Sequence, residues 1–207
     1  MLALKIVIVV VAGYLLGNLN GAILISKIVN KQDVRQKGSG NAGLTNYVRN
    51  YGLKTSGMVL LIDFLKTCLG ALLGWWLLGA EGYAMEGSAL GGLAASLGHD
   101  FPAFFGFKGG KGIVCGAAVA LCVDWRAFVI VIACFIVLFL LTHYVSFSSM
   151  CQAVLLPVLV ALFHPDRPWV IALVICTGAL ALFQHRANFV RLVKGQESKM
   201  YLGKKKK

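Results

Sequence analysis

Seven stretches of mostly apolar residues, at 2–28, 55–79, 84–98, 112–123, 127–142, 147–163 and 169–184, constrain this chain more than any other feature. A helix needs about 20 such residues to cross the hydrocarbon of a bilayer. Within the bilayer only helices and closed barrels can satisfy their own backbone groups. The expected fold is therefore an all-α integral membrane protein of seven transmembrane helices, a single polytopic domain over residues 1–207. Two of the spans, 84–98 and 112–123, are short and flank a Gly/Lys-rich loop. The first stretch is too long, and too apolar in its second half, for a cleaved signal peptide.

The charge pattern orients the bundle. The chain carries 20 Lys and Arg against 8 Asp and Glu, a net charge of +12. In a soluble chain that excess would suggest nucleic-acid binding, but 58% of the residues are hydrophobic and no nucleic-acid partner is expected. Sixteen of the 20 cations fall in the connection 31–54 and its edges, in the connection 99–111, or after His185. Positive loops stay in the cytoplasm, so the N-terminus is expected outside and the C-terminus inside. Residues 199–207, ending in four lysines, read as a basic cytoplasmic tail attracted to anionic lipid. The six cysteines all stand in apolar runs without a CxxC pair and read as buried thiols.

Three polar clusters interrupt this pattern, all on the expected cytoplasmic face. The first is Gly38-Ser39-Gly40-Asn41-Ala42-Gly43-Leu44-Thr45-Asn46, followed by Arg49. Glycines let backbone N–H groups converge on an anion. Ser39, Asn41, Thr45 and Asn46 add donors, and Arg49 adds a planar fork suited to phosphate. An ordinary Gly-rich turn capping a helix would look similar. The second cluster, His99 to Gly112, holds Lys108-Gly109-Gly110-Lys111 immediately before an apolar helix, whose free N–H groups make an anion site. As plain topology signals the lysines would not need glycine around them. The third cluster is His185-Arg186-Ala187-Asn188 with Arg191 and Glu197. On a continued helix His185, Asn188 and Leu192 would share one face. Glu197 reads as a structural partner for a cation.

Within the second stretch Asp63 and Lys66 are three residues apart and adjacent on a helix. Ionisable residues at such depth pair and face the bundle interior, so an ion pair supporting the fold is expected. No GxSxG elbow and no HExxH motif occurs. Nor is there an H-x-x-x-x-D acyltransferase pattern, because Phe104, Ser148, Trp169 and Val190 stand five residues after the four histidines. The histidines and cysteines lack metal-ligand spacing, so neither metal nor cofactor is expected.

Together GSGNAGLTN, GHDFPAFFGFKGGKG and HRANFVRLVKGQE resemble the three signature motifs of the bacterial acyl-phosphate-dependent glycerol-3-phosphate acyltransferase family, PlsY. The motifs cover about a fifth of the chain, in order and at matching spacing. The resemblance implies a multi-pass enzyme of the bacterial inner membrane with its active site facing the cytoplasm. It would transfer an acyl group from a long-chain acyl phosphate to the sn-1 hydroxyl of glycerol 3-phosphate, giving lysophosphatidic acid and inorganic phosphate. Ser39, Gly40, Asn41, Thr45, Asn46, Arg49, Lys108, Gly109, Gly110 and Lys111 would bind the substrate phosphates. His185, Asn188 and His99 would be catalytic, with Asp63, Lys66 and Glu197 in support. Either histidine or a substrate phosphate would accept the hydroxyl proton. The family commonly has Ala where Leu44 stands, Val-Ala-Thr at Ile113-Val114-Cys115, Ser and Pro at Asn18 and Asn20, and a cation at His143. The competing expectation is a transporter or channel for phosphate or organophosphate, which would place its anion site near the bilayer midplane.

Overall fold

The computed structural model describes residues 1–201. Among these there are ten α-helices and no strand: α1 (Leu2–Gly17), α2 (Gly21–Val29), α3 (Leu44–Tyr51), α4 (Ser56–Gly79), α5 (Ala84–Asp100), α6 (Ile113–Val123), α7 (Trp125–Thr142), α8 (Val145–Phe163), α9 (Pro168–Gln184) and α10 (Arg186–Val193). By length and composition four segments are fit to cross a membrane: Leu2–Val29, Ser56–Gly79, Trp125–Thr142 and Val145–Phe163. A fifth is added if α9 and α10, bent by 57° at His185, are taken as one. The two short spans fall below that threshold, α6 having only 11 residues.

Several expected boundaries are corrected. The stretch 2–28 is two helices, interrupted where Asn20 leaves the helical backbone and its side chain accepts from the Ile23 N–H as an N-cap. Helix α5 runs on through His99 and Asp100, so both lie in its last turn rather than in the following loop. The connection 31–54 is mostly structured, with a 3-10 turn at Val34–Gln36 and helix α3. His185 does not begin a continuous helix: it stands at the bend, where it ends α9 and starts α10. All six thiols are free, but only Cys115 is fully buried and Cys176 faces outward.

Small residues bring α1, α4 and α5 together. A Cβ on Gly74 would lie 1.9 Å from the Gly87 carbonyl oxygen, and one on Gly98 would lie 2.1 Å from that of Tyr14. Such backbone approach is how helices associate where lipid removes the hydrophobic drive. A second core of Val119, Val123, Val131, Leu156, Val160, Val170 and Val174 joins α6 to α9. The start of α4, α6 and α8 and the end of α5, α7 and α9 consequently meet at one end of the bundle.

The two ends differ in electrostatics. At the far end cations meet carboxylates: Lys5 with Glu81 at 2.8 Å, Arg126 with Asp124 at 2.6 Å, Arg167 with Glu86 at 3.4 Å. At the near end cations outnumber carboxylates. Of the expected tail only residues 199–201 are described. The Met200 N–H donates to the His143 carbonyl at 2.9 Å, and Lys199 lies over the Tyr144 ring. The four terminal lysines lie outside the described residues.

Candidate active site

The three polar clusters close around one cavity of about 160 Å3 at the near end of the bundle. Its walls include Ser39, Asn41, Thr45, Asn46 and Arg49 from the first cluster, His99 and Lys111 from the second, and His185, Asn188, Arg191 and Glu197 from the third. It opens onto a larger vestibule flanked by Gly40, Arg49, Gly109, Lys111, Arg186, Arg191 and Lys199.

Local chemistry builds each wall. Asn46 organises the first loop: its amide nitrogen donates to the carbonyls of Val34, Lys37 and Asn41 at 3.0–3.1 Å, while its oxygen accepts from the Ser39 N–H at 3.0 Å. It therefore shapes the loop, and its side chain has little left for a ligand. The Ala42 N–H donates to the Gly109 carbonyl at 3.1 Å, which ties the first loop to the second. Helix α3 starts after Gly43 and α6 after Gly112, whose φ is +67°. The residues at both starts line the cavity, so two sets of free N–H groups face one space.

Lys111 crosses the cavity and donates to the side-chain oxygen of Asn188. The Asn188 amide nitrogen donates to Glu197 Oε1 at 2.7 Å, and that carboxylate also takes Arg191 Nε at 2.7 Å and Ser146 Oγ at 2.8 Å. These donors hold the Glu197 carboxyl below its ordinary range against the opposing effect of burial. Burial, reinforced by the Arg191 cation, pushes Lys111 down to about 8. His185 Nδ1 lies 2.8 Å from the Ala181 carbonyl, which can only accept, so Nδ1 carries the proton and Nε2 the lone pair. Burial pushes His185 down to about 4 and keeps the ring neutral at physiological pH.

Beneath the cavity lies an ionic cluster. Lys66 Nζ contacts Asp63 Oδ1 at 2.9 Å, as expected of that pair. It also donates to the carbonyls of Gly17 and Leu19 at 2.9 and 3.0 Å, while Asp63 Oδ1 accepts from the Gly21 N–H at 3.0 Å. The pair thus joins the broken ends of α1 and α2, the cation at a helix C-terminus and the carboxylate at an N-terminus.

Two expectations are corrected. Lys108 is exposed and lines neither cavity nor vestibule. Its carbonyl accepts from Arg35 Nη1 at 3.2 Å in an exposed contact. Gly110 does not cradle an anion with its open side, because His99 Nε2 fills the space where its Cβ would be. Sequence reasoning missed Arg35, which bonds the carbonyls of Phe105 and Lys108 and pairs with Asp33. It also missed Ser146 and Ser149 on α8, and Asn20, whose amide reaches the Ala42 carbonyl at 3.0 Å. A cation beside an acid in a Gly-bounded loop was the available signal for Arg35. The serines carried none.

Residues 7–195 match the family model described as glycerol-3-phosphate acyltransferase. Among curated relatives, a glycerol-3-phosphate acyltransferase of Finegoldia magna is 38% identical over 95% of this chain and 97% of its own. One of Haemophilus influenzae is 38% identical over 94% of each chain. Among solved structures, PlsY (YgiH), an integral membrane glycerol 3-phosphate acyltransferase, superimposes in its glycerol 3-phosphate form with TM-score 0.84. That chain is 32% identical, with 95% of this chain and 96% of that one covered. Its lysophosphatidic acid form gives 0.83 at 31% identity, over 95% of each chain. With its apolar helices and its three clusters joined at one cavity, this chain is a multi-pass membrane acyltransferase and belongs to the glycerol-3-phosphate acyltransferase family.

Proposed function

We propose that the protein transfers a fatty acyl group from acyl phosphate to the sn-1 hydroxyl of glycerol 3-phosphate at the cytoplasmic surface of the inner membrane, within a seven-span bundle. The observation that carries this reading is the convergence of Lys111, Arg49, His185, Asn188 and two helix starts on one cavity. Two phosphates brought within about 5 Å repel by roughly 3 kcal/mol per pair of unit charges at an effective dielectric near 20. A site that joins them needs fixed positive charge, which Lys111, Arg49 and Arg191 supply.

In the proposed reaction the sn-1 oxygen attacks the acyl carbonyl carbon in a ternary complex. The bond from that carbon to the phosphate oxygen breaks, and inorganic phosphate leaves. The hydroxyl proton passes to His185 Nε2 and from there to the departing phosphate. A ring held low by burial releases that proton readily, and the dianions beside it raise its basicity while they are bound. Asn188 keeps Lys111 aimed at the leaving oxygen. Acyl phosphate already carries a good leaving group, so positioning and charge stabilisation suffice and no acyl-enzyme is required. The cations that line the cavity, Arg49, Lys111 and Arg191, stand outside the long apolar helices rather than midway along a span, which speaks against a transporter.

The test is turnover by purified protein in detergent or nanodiscs. Acyl phosphate and glycerol 3-phosphate are supplied without coenzyme A, and inorganic phosphate and lysophosphatidic acid are followed together. Equimolar release supports the reading; turnover with acyl-coenzyme A alone overturns the donor.

A further inference from the structure

His99 is 3% exposed, at the end of α5, and it lines the cavity from below. Two donors converge on its Nδ1. Lys66 Nζ stands 2.9 Å away and Asn20 Nδ2 3.4 Å away. The amide of Asn20 has a defined orientation, because its oxygen accepts from the Ile23 N–H at 3.1 Å and its nitrogen donates to the Ala42 carbonyl at 3.0 Å. Lys66 points two protons at the carbonyls of Gly17 and Leu19 and its third at His99 Nδ1, with the Asp63 carboxylate at 2.9 Å as its counter-ion, so Nζ is an ammonium with no lone pair to offer.

A proton on His99 Nδ1 would face both of these donors. Its one acceptor would be Asp63 Oδ1 at 3.3 Å, which already accepts from the Gly21 N–H and faces Lys66. The lone pair therefore belongs at Nδ1 and the proton at Nε2. Nε2 lies against Gly110, where a Cβ would come within 2.0 Å of it.

We infer that His99 is a fixed neutral hydrogen-bond donor, its Nε2–H held toward a phosphate oxygen in the cavity by Lys66 and Asn20, and that it is not a proton acceptor. Asn20 and Lys66 are then positioning residues acting through the ring. The inference rests on the acyl-transfer reading for the identity of the phosphate but not for the protonation of the ring.

The experiment has two arms. In the first, the nitrogen-15 spectrum of histidine-labelled protein is recorded near neutral pH, with the His99 signals assigned by their loss in His99→Gln. Protonated Nε2 with bare Nδ1 is expected, with Nε2 shifting when inorganic phosphate or glycerol 3-phosphate is added. A proton at Nδ1, an imidazolium, or an Nε2 signal insensitive to both anions overturns the inference whether or not the protein turns over. In Asn20→Asp the acceptor placed at Nδ1 is expected to draw a proton onto it; an unchanged ring overturns the role of Asn20.

The second arm compares amides. The Gln side chain places N–H near the position of Nε2, and the Asn side chain places it near Nδ1. His99→Gln is expected to keep kcat within about tenfold, while His99→Asn and His99→Ala lose about 100-fold, the usual cost of one oxyanion donor. Equal losses in all three, with each variant folded as judged by its thermal unfolding, overturn the donor role.

Discussion

The Lys111 ammonium donates to the side-chain oxygen of Asn188, so residues 77 positions apart join the second cluster to the third across the cavity. Asn188 also donates to Glu197 and is the middle member of a chain whose ends are a cation and an anion. Replacing it by Leu takes the side-chain partner from Lys111 and one of three donors from Glu197. Turnover is expected to fall about 100-fold, within the usual range for a lost preorganised donor network. Asn188→Asp sets a second carboxylate beside Glu197 and is expected to raise KM for glycerol 3-phosphate further than Asn188→Leu does. Steady-state release of inorganic phosphate measures both.

Lys111 is held down to about 8 by burial and by Arg191. A lysine loses its charge as pH rises through its own value, so anion affinity is expected to weaken above about pH 8 in the free enzyme. A bound dianion favours the charged form, and binding near pH 8–9 is therefore accompanied by proton uptake. Calorimetry in two buffers of different ionisation enthalpy detects that proton. Lys111→Arg, with an invariant charge, is expected to flatten the alkaline loss even if kcat falls.

His185 is neutral above about pH 4 in the free protein, because burial opposes its charged form. Its folded value lies below its unfolded one, so the folded state loses stability as pH falls from near 6.5 toward 4. In the proposed reaction the neutral ring is the proton acceptor. Bound phosphates raise its value, and the acid limb of kcat is expected at higher pH than the His185 titration of the substrate-free protein. His185→Ala is expected to lose that limb.

Gly109 and Gly110 are packed rather than loose. A Cβ at Gly109 would lie 2.0 Å from the His99 carbonyl oxygen, and one at Gly110 would lie 2.0 Å from His99 Nε2. Neither neighbour can move, since one is backbone and the other is a ring held by Lys66 and Asn20. Each Gly→Ala change is expected to cost about 1–3 kcal/mol of stability, with near-complete loss of turnover. Gly116→Ala, with open space around it, is the control. Thermal unfolding in detergent reads the first effect.

Arg49 faces the cavity, and Lys108 does not. Arg49→Ala is expected to raise KM for glycerol 3-phosphate about tenfold or more, the scale of one charged hydrogen bond. Lys108→Ala is expected to leave KM within about twofold, as for an exposed charge. Arg35→Ala, which frees the carbonyls of Phe105 and Lys108, is expected to lower stability before it touches KM.

Much of this arrangement is written in local order. Hydropathy periods mark the apolar helices, because a segment in lipid must satisfy its own backbone wherever it packs. The glycines beside Ser39, Lys111 and Asn41 mark turns, because only local backbone freedom decides them. The placement of Asp63 beside Lys66 follows from helix geometry alone. These depend on neighbours within a few residues, and a linear reading reaches them.

Tertiary packing decided the rest. Lys111 enters the cavity while Lys108 stays exposed, in a loop whose Phe105 and Lys108 carbonyls are tied by Arg35, 73 residues before Lys108. Whether Asn46 binds a ligand or a loop depends on three carbonyls that converge on it only after the chain has turned. The break between Gly17 and Gly21 is stabilised by a lysine and an aspartate from α4, and the protonation of His99 follows from those same side chains. Each of these outcomes is a contest among donors and acceptors brought close from distant parts of the chain, and hydrogen-bond strength depends on separation in space rather than along the sequence.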